Sequence, residues 1–230
     1  MSELIPAPRR LDEEGRQLLR KVVEAQAWRQ LAAVNILGHA LKFVTRVESK
    51  ALVVEELNLS LRVFGEVRAL YEELGYEDLP GVVRAKIERV PLPASRLEFG
   101  ICRYLCDQAE RVAMSAYTQC AEPRFAAIAH TVLDNKSRLV PEGDEVFALY
   151  CAEAANRPHA QEMYDRWLGI ALLAFGRPET AGDRRAVQLG LRSSTAAQMA
   201  SEYLDALAPF RARCELSATE PAALGVELAR

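Results

Sequence analysis

Lys136 is a charged residue set in an apolar pattern. Phe125, Ile128 or Ala129, Val132, Lys136 and Leu139 fall on one face of a helical segment. An ammonium at such a position is expected inside, where it must either give up its proton or find an acid. Asp107, by spacing, and Glu56, on the core side of its own helix in line with Ser60, Val63 and Val67, are the candidate partners. Two kinds of chemistry follow. A structural ion pair would fix helix register without adding much stability. A metal-free active site would use Lys136 as acid, base or nucleophile, with Asp107 or Glu56 tuning it.

Other reactive side chains are sparse. The three histidines, His39, His130 and His159, are preceded three residues earlier by Ile36, Ala127 and Asn156, so no Glu-x-x-His pair exists. His39 reads as a core or interface histidine, His130 and His159 as surface groups. The five cysteines form an odd set with no Cys-x-x-Cys, which argues against a disulfide framework or a zinc knuckle and for small apolar core residues. Tyr104, Tyr117, Tyr150 and Tyr164 could line a pocket for an aromatic compound, although packing is the simpler role. Arg124, Arg138, Arg184, Arg185 and Arg192 could meet an anionic ligand such as a CoA phosphate, although surface ion pairing is the plainer reading.

The elements that must position these groups are helices. Pro, Gly and apolar spacing predict a long helix from about 11 to 45 with the stripe Leu18, Val22, Ala25, Trp28, Leu31, Ile36, Ala40 and Phe43. A second helix is expected from Ser49 to a stop at Gly75, followed by a Pro-containing crossover with a short helix at 82–89. Further helices are expected at 95–121, 123–140, 144–156 and 160–175, and one more from Asp183 to Leu216 with Gly190 as an irregularity. No segment alternates as a strand would. Residues 1–10 read as an N-terminal extension, 11–216 as one domain and 217–230 as a mobile tail. Two long hairpins joined by a crossover describe an all-α, ferritin-like bundle with added C-terminal helices.

Composition narrows the partners. Half the residues are hydrophobic, 27% are charged, and the formal charge is −3 with signs interspersed, which excludes an electrostatic footprint for nucleic acid. Uncharged stretches such as Trp167–Gly176 are too short to cross a bilayer, and the early residues carry acids rather than a signal pattern. A cytoplasmic protein is expected, forming a homodimer or other homo-oligomer through its long helices.

Three stretches then carry a family resemblance: Tyr104-Leu-Cys-Asp107-Gln, the run from Ala121 through His130 and Lys136 to Gly143, and Trp167 through Phe175-Gly-Arg-Pro-Glu179. They resemble the catalytic A subunit of ring-1,2-phenylacetyl-CoA epoxidase, over about 32–213. The resemblance implies a di-iron oxygenase acting on a phenylacetyl-CoA-type ligand, yet its metal ligands do not carry over. The family's Glu-x-x-His falls on Lys136 and Leu139 in the second hairpin, with Asp107 at the partner acid. In the first hairpin it falls on Ser60 and Val63, or in a shifted register on Glu56 and Leu59, and an early carboxylate falls near Asn35. Imidazoles replaced by aliphatic groups and a carboxylate replaced by an ammonium would repel a dication.

The resulting expectation is a metal-independent enzyme or binding protein with no cofactor. Its ligand would be a small acyl or aromatic compound, CoA and carrier-protein thioesters included. The site would be Lys136, Asp107 and Glu56, lined by Ser60, Val63, Leu139, Tyr104, His39 and Asn35. The alternatives are a non-catalytic structural subunit of an oxygenase complex, and a di-metal oxygenase with an unusual ligand set drawn from Glu56, Asp107, Glu110 and His39.

Overall fold

Short-range capping chemistry marks the start of most helices in the computed structural model, which describes residues 11–138 and 143–224. Asp12 accepts the Gly15 N–H at 2.7 Å and opens α1 (Glu13–Ala40); α2 (Val47–Glu73) follows after a short turn. Gly75, at φ +85°, closes α2 as expected, with the Tyr76 N–H reaching the Tyr71 carbonyl and the Gly75 N–H reaching Glu72. The crossover contains α3 (Leu79–Ile87). Ser95 then caps α4 (Arg96–Ser115) through the Glu98 N–H. Next come α5 (Pro123–Arg138), α6 (Gly143–Cys151), α7 (Arg157–Leu172), α8 (Ala181–Gln188) and α9 (Ala196–Arg213). Among the described residues there is no strand, and no helix is long and apolar enough to cross a membrane.

Cross-helix contacts fix the directions of the central four helices. Tyr71 meets Glu24 and Leu57 lies by Gly38, so α1 and α2 are antiparallel. Arg124 meets Glu73 and Lys136 meets Glu56, so α2 and α5 are antiparallel. Asp107 meets Lys136 and Tyr117 meets Phe125, so α4 and α5 are too. Gln26 and Gln30 meet Glu110 while His39 meets Pro93, which closes the ring with α1 antiparallel to α4. In chain order the helices run up, down, down, up, with the long crossover joining the two parallel members. α6, α7 and α9 pack on the outer side of α4, and the buried apolar residues form one cluster running from Leu19 to Leu216.

Two expectations need correction. The last helix is not continuous over 183–216: it breaks into α8 and α9 at Gly190, whose φ of +70° is a left-handed conformation that ends α8. The break is held by the Ser193 N–H on the Ala116 carbonyl and the Ala121 N–H on Gly190, and Thr195 with Gln198 forms a capping box that starts α9. The second correction concerns α1, where Ile36 and Ala40 of the expected stripe are buried but the remaining inner positions are Leu19, Val23, Gln26, Ala27, Gln30 and Leu37. Leu18, Val22, Ala25, Trp28 and Leu31, also expected in the core stripe, are half-buried beside it. Two glutamines on the innermost line hid it. Residues 217–224 of the expected tail lie on α7, with Ser217 N–H on Gln161 at 2.8 Å and Thr219 Oγ1 on Asp165 at 2.7 Å.

Candidate functional site

α5 delivers Lys136 to the bundle centre because Phe125, Ile128, Ala129 and Val132 on the same face are buried. Lys136 is 9% exposed, and its ammonium lies among three carboxylates. Nζ donates to Asp107 Oδ1, approaches Glu110 Oε2 at 3.2 Å and Glu56 Oε1 at 3.5 Å. Asp107 and Glu110 project from successive turns of α4, and Glu56 comes from α2. The expected trio of Lys136, Asp107 and Glu56 is therefore brought together, with Glu110 as a further acid.

Other polar groups surround the carboxylates. Arg103, one turn before Asp107, puts Nη2 2.8 Å from Glu56 Oε2 and 3.7 Å from Asp107 Oδ2. The Glu56 contact is ionic rather than hydrogen-bonded, since Oε2 has no hydrogen-bond donor in line. Glu110 Oε1 accepts from Gln30 at 2.7 Å and Gln26 at 3.2 Å. Arg29 holds Gln26 through two N–H groups at 2.8 and 2.6 Å and donates to the Ala174 carbonyl at 2.8 Å. Three carboxylates thus face two cations, Lys136 and Arg103, and Arg29 reaches the cluster only through the Gln26 amide. Arg111 adds a donor to the Lys136 backbone carbonyl.

Burial and charge act oppositely on these groups. Desolvation alone would strip the Lys136 proton, but Asp107, Glu110 and Glu56 overcome it and hold the ammonium above its ordinary range. Glu56 is pushed up, by burial first and by the negative charge of Asp107 second, with Lys136 and Arg103 only partly compensating. Desolvation lowers Arg29.

The sign for Glu56 is testable. A carboxyl with a raised folded-state pKa binds its proton more readily folded than unfolded. Its contribution is therefore present below the ordinary value of 4.5 and is lost as pH rises through the raised value. Glu56→Gln mimics the protonated form, so the variant is expected to gain stability relative to the parent as pH rises above the ordinary carboxyl value of 4.5. Urea unfolding at several pH values measures the difference, and an advantage that grows on acidification would contradict the assignment.

Two cavities adjoin Lys136. One, of about 80 Å³, lies between α1, α4 and α7; Lys136, Asp107 and Glu110 meet it along with Trp28, Ala33 and Ala171. Its remaining walls are mainly apolar, and Cys106 contributes a thiol. Trp28 is half-buried, and its indole Nε1 is a buried donor with no acceptor among the described residues. The other, of about 20 Å³, is met by Ser60, Val63, Glu56 and Asn135 as well as Lys136. Ser60 and Val63, two of the expected pocket residues, thus line a cavity at Lys136.

Three expected pocket residues lie elsewhere. Asn35 is exposed because α1 turns its neighbours Ile36 and Leu37 inward instead. Tyr104 sits on the outer side of α4 and packs on Phe210, with ring centroids 4.4 Å apart. His39 is bonded to the Pro93 carbonyl at 3.1 Å and stacks edge-on with Phe43. Leu139 lies outside the described residues. Arg192, read as a surface group, is buried against Asp183. Arg103, Arg29, Gln26 and Gln30 were missed; the glutamine pair, four residues apart on a long helix, was the available signal.

The donor set does not fit two irons. No imidazole reaches the cluster, Nζ lies between the carboxylates, and no three His, Cys, Asp or Glu side chains among the described residues are arranged to hold a metal ion. A scan against protein-family models and a search of curated proteins each return no match to this chain.

Proposed function

We propose that this protein is a metal-independent binding protein for a small, uncharged acyl or aromatic compound, taken up in the cavity beside Lys136. The carrying observation is the buried ion network of that interior. With Asp107, Glu110 and Glu56 engaged by Lys136 and Arg103, a charged ligand would have to break a buried pair, whereas a neutral one can enter without unpairing anything. The unpartnered Trp28 N–H adds a donor suited to a carbonyl oxygen. The raised pKa of Lys136 favours a fixed ammonium over a nucleophilic amine. The up-down-down-up order with one long crossover supports a ferritin-like ancestry in which the carboxylate cage now surrounds a side chain.

Acetamide and butyramide are the probes. One-to-one binding is expected, with a shift of the Trp28 indole N–H resonance. Trp28→Phe should weaken it about fivefold, the worth of about 1 kcal/mol for one hydrogen bond. Ala33→Leu, which fills the cavity, should abolish it while far-UV CD is unchanged. Absence of saturable binding, or binding indifferent to Ala33→Leu, refutes the reading, as would near-stoichiometric iron or manganese in the purified protein.

The closed ion network favours a second reading, a structural subunit whose bundle centre serves register alone. Under it neither amide binds, and a partner protein co-purifies from the native host.

A further inference from the structure

A separate cleft of about 240 Å³ lies between the outer side of α1, the end of α7 and α8. Lys21, Arg29, Arg177 and Arg192 line it, against one carboxylate, Asp183. That carboxylate is already engaged: Asp183 Oδ1 accepts the Ala196 N–H at 2.9 Å and pairs with Arg192. Lys21, Arg29 and Arg177 have no carboxylate within ion-pairing distance among the described residues, although the whole chain carries a net charge of −3. Arg192 is only 8% exposed, and its Nε is buried without a hydrogen-bond acceptor. Leu18, Val22 and Phe175 supply an apolar wall facing these cations.

Positive charge concentrated in a concave, partly apolar site focuses its field on whatever enters. A buried guanidinium N–H without an acceptor is costly and is best satisfied by an anionic oxygen. The apolar wall gives no reason for a bare inorganic ion, and the volume lies below that of a site for a drug-sized molecule. We infer that this cleft binds a small organic phosphate, a phosphate monoester whose anionic end is held by Arg192, Arg177 and Lys21 and whose apolar end rests on α1. The inference is independent of the cavity beside Lys136. The two sites share Arg29 and Ala174 as a common wall.

Isothermal titration of the full chain with phenyl phosphate, inorganic phosphate and phenol tests the assignment. Phenyl phosphate should bind one per chain, at least tenfold more tightly than either of the others, and more weakly as salt is raised. Lys21→Ala and Arg177→Ala remove exposed side chains and leave the fold intact; each should weaken binding at least fivefold. Arg124→Ala, whose partner is Glu73 on α2, should change nothing. Equal affinity for phenyl phosphate and inorganic phosphate would mean an adventitious ion only. No saturable binding, or affinity unaltered in both cleft variants, would equally overturn the site.

Discussion

Lys136→Met is expected to destabilise the folded chain by about 3–5 kcal/mol at neutral pH, the cost of removing one partner from a buried ion cluster. The substitution keeps length and apolar stem but strands Asp107, Glu110 and Glu56 with Arg103 as the remaining ion-pair partner. The stranded carboxyls then hold protons more readily folded than unfolded, so the deficit should shrink as pH falls and widen as it rises. Adding Asp107→Leu removes one charge of each sign, and the double variant should recover most of the loss. Urea unfolding of the four members of this cycle gives the coupling, expected at about 2 kcal/mol or more. A single-variant loss under about 1 kcal/mol, the range of exposed pairs, would show that the ammonium is solvated rather than caged.

The second large effect is expected at Trp167, which is fully buried where α7 crosses α4. Its Nε1 donates to Glu98 Oε1 at 3.0 Å, and the same carboxylate accepts from Arg166 at 2.9 Å and the Ala94 N–H at 2.7 Å. One acid thus ties the crossover, α4 and α7 together. Trp167→Ala should cost about 3–5 kcal/mol through the void it leaves. Trp167→Phe, which keeps most of the volume and loses the donor, should cost about 1–3 kcal/mol. Because α7 also carries Ile170 and Ala171 into the wall beside Lys136, Trp167→Ala should weaken amide binding as well. Equal losses for the two variants would assign the effect to the hydrogen bond alone.

The likeness to an epoxidase subunit remains a proposal about ancestry. Lys136 and Asp107, two positions onto which that likeness maps metal ligands, are in direct contact, which two packed helices can give without any shared ancestry. The residues transferred by that likeness fared unequally. Ser60 and Val63 meet a cavity at Lys136, whereas Asn35 faces solvent. The placement at Asn35 depended on register across a turn, and a single residue of slip in a helix rotates a side chain by about 100°.

Local pattern determined most of the helices, the stop at Gly75 and the inward face of the segment carrying Lys136, because capping, glycine geometry and helical periodicity act over a few residues. It also put Glu56 on the core side of its helix, whereas Asp107 was reached by spacing rather than by any pattern within its own helix. Only the packing of four helices decided that Glu110 and Arg103 join them, since both lie one turn from Asp107 and either could have faced a neighbour or water. The same packing exposed Gln26 and Gln30 as core residues on α1, broke the last helix at Gly190 and set small side chains, Ala33 and Ala171, across from one another to leave a cavity. Such outcomes depend on distances between segments up to 145 residues apart, as in the Arg29 to Ala174 contact, and no periodicity within one helix encodes them.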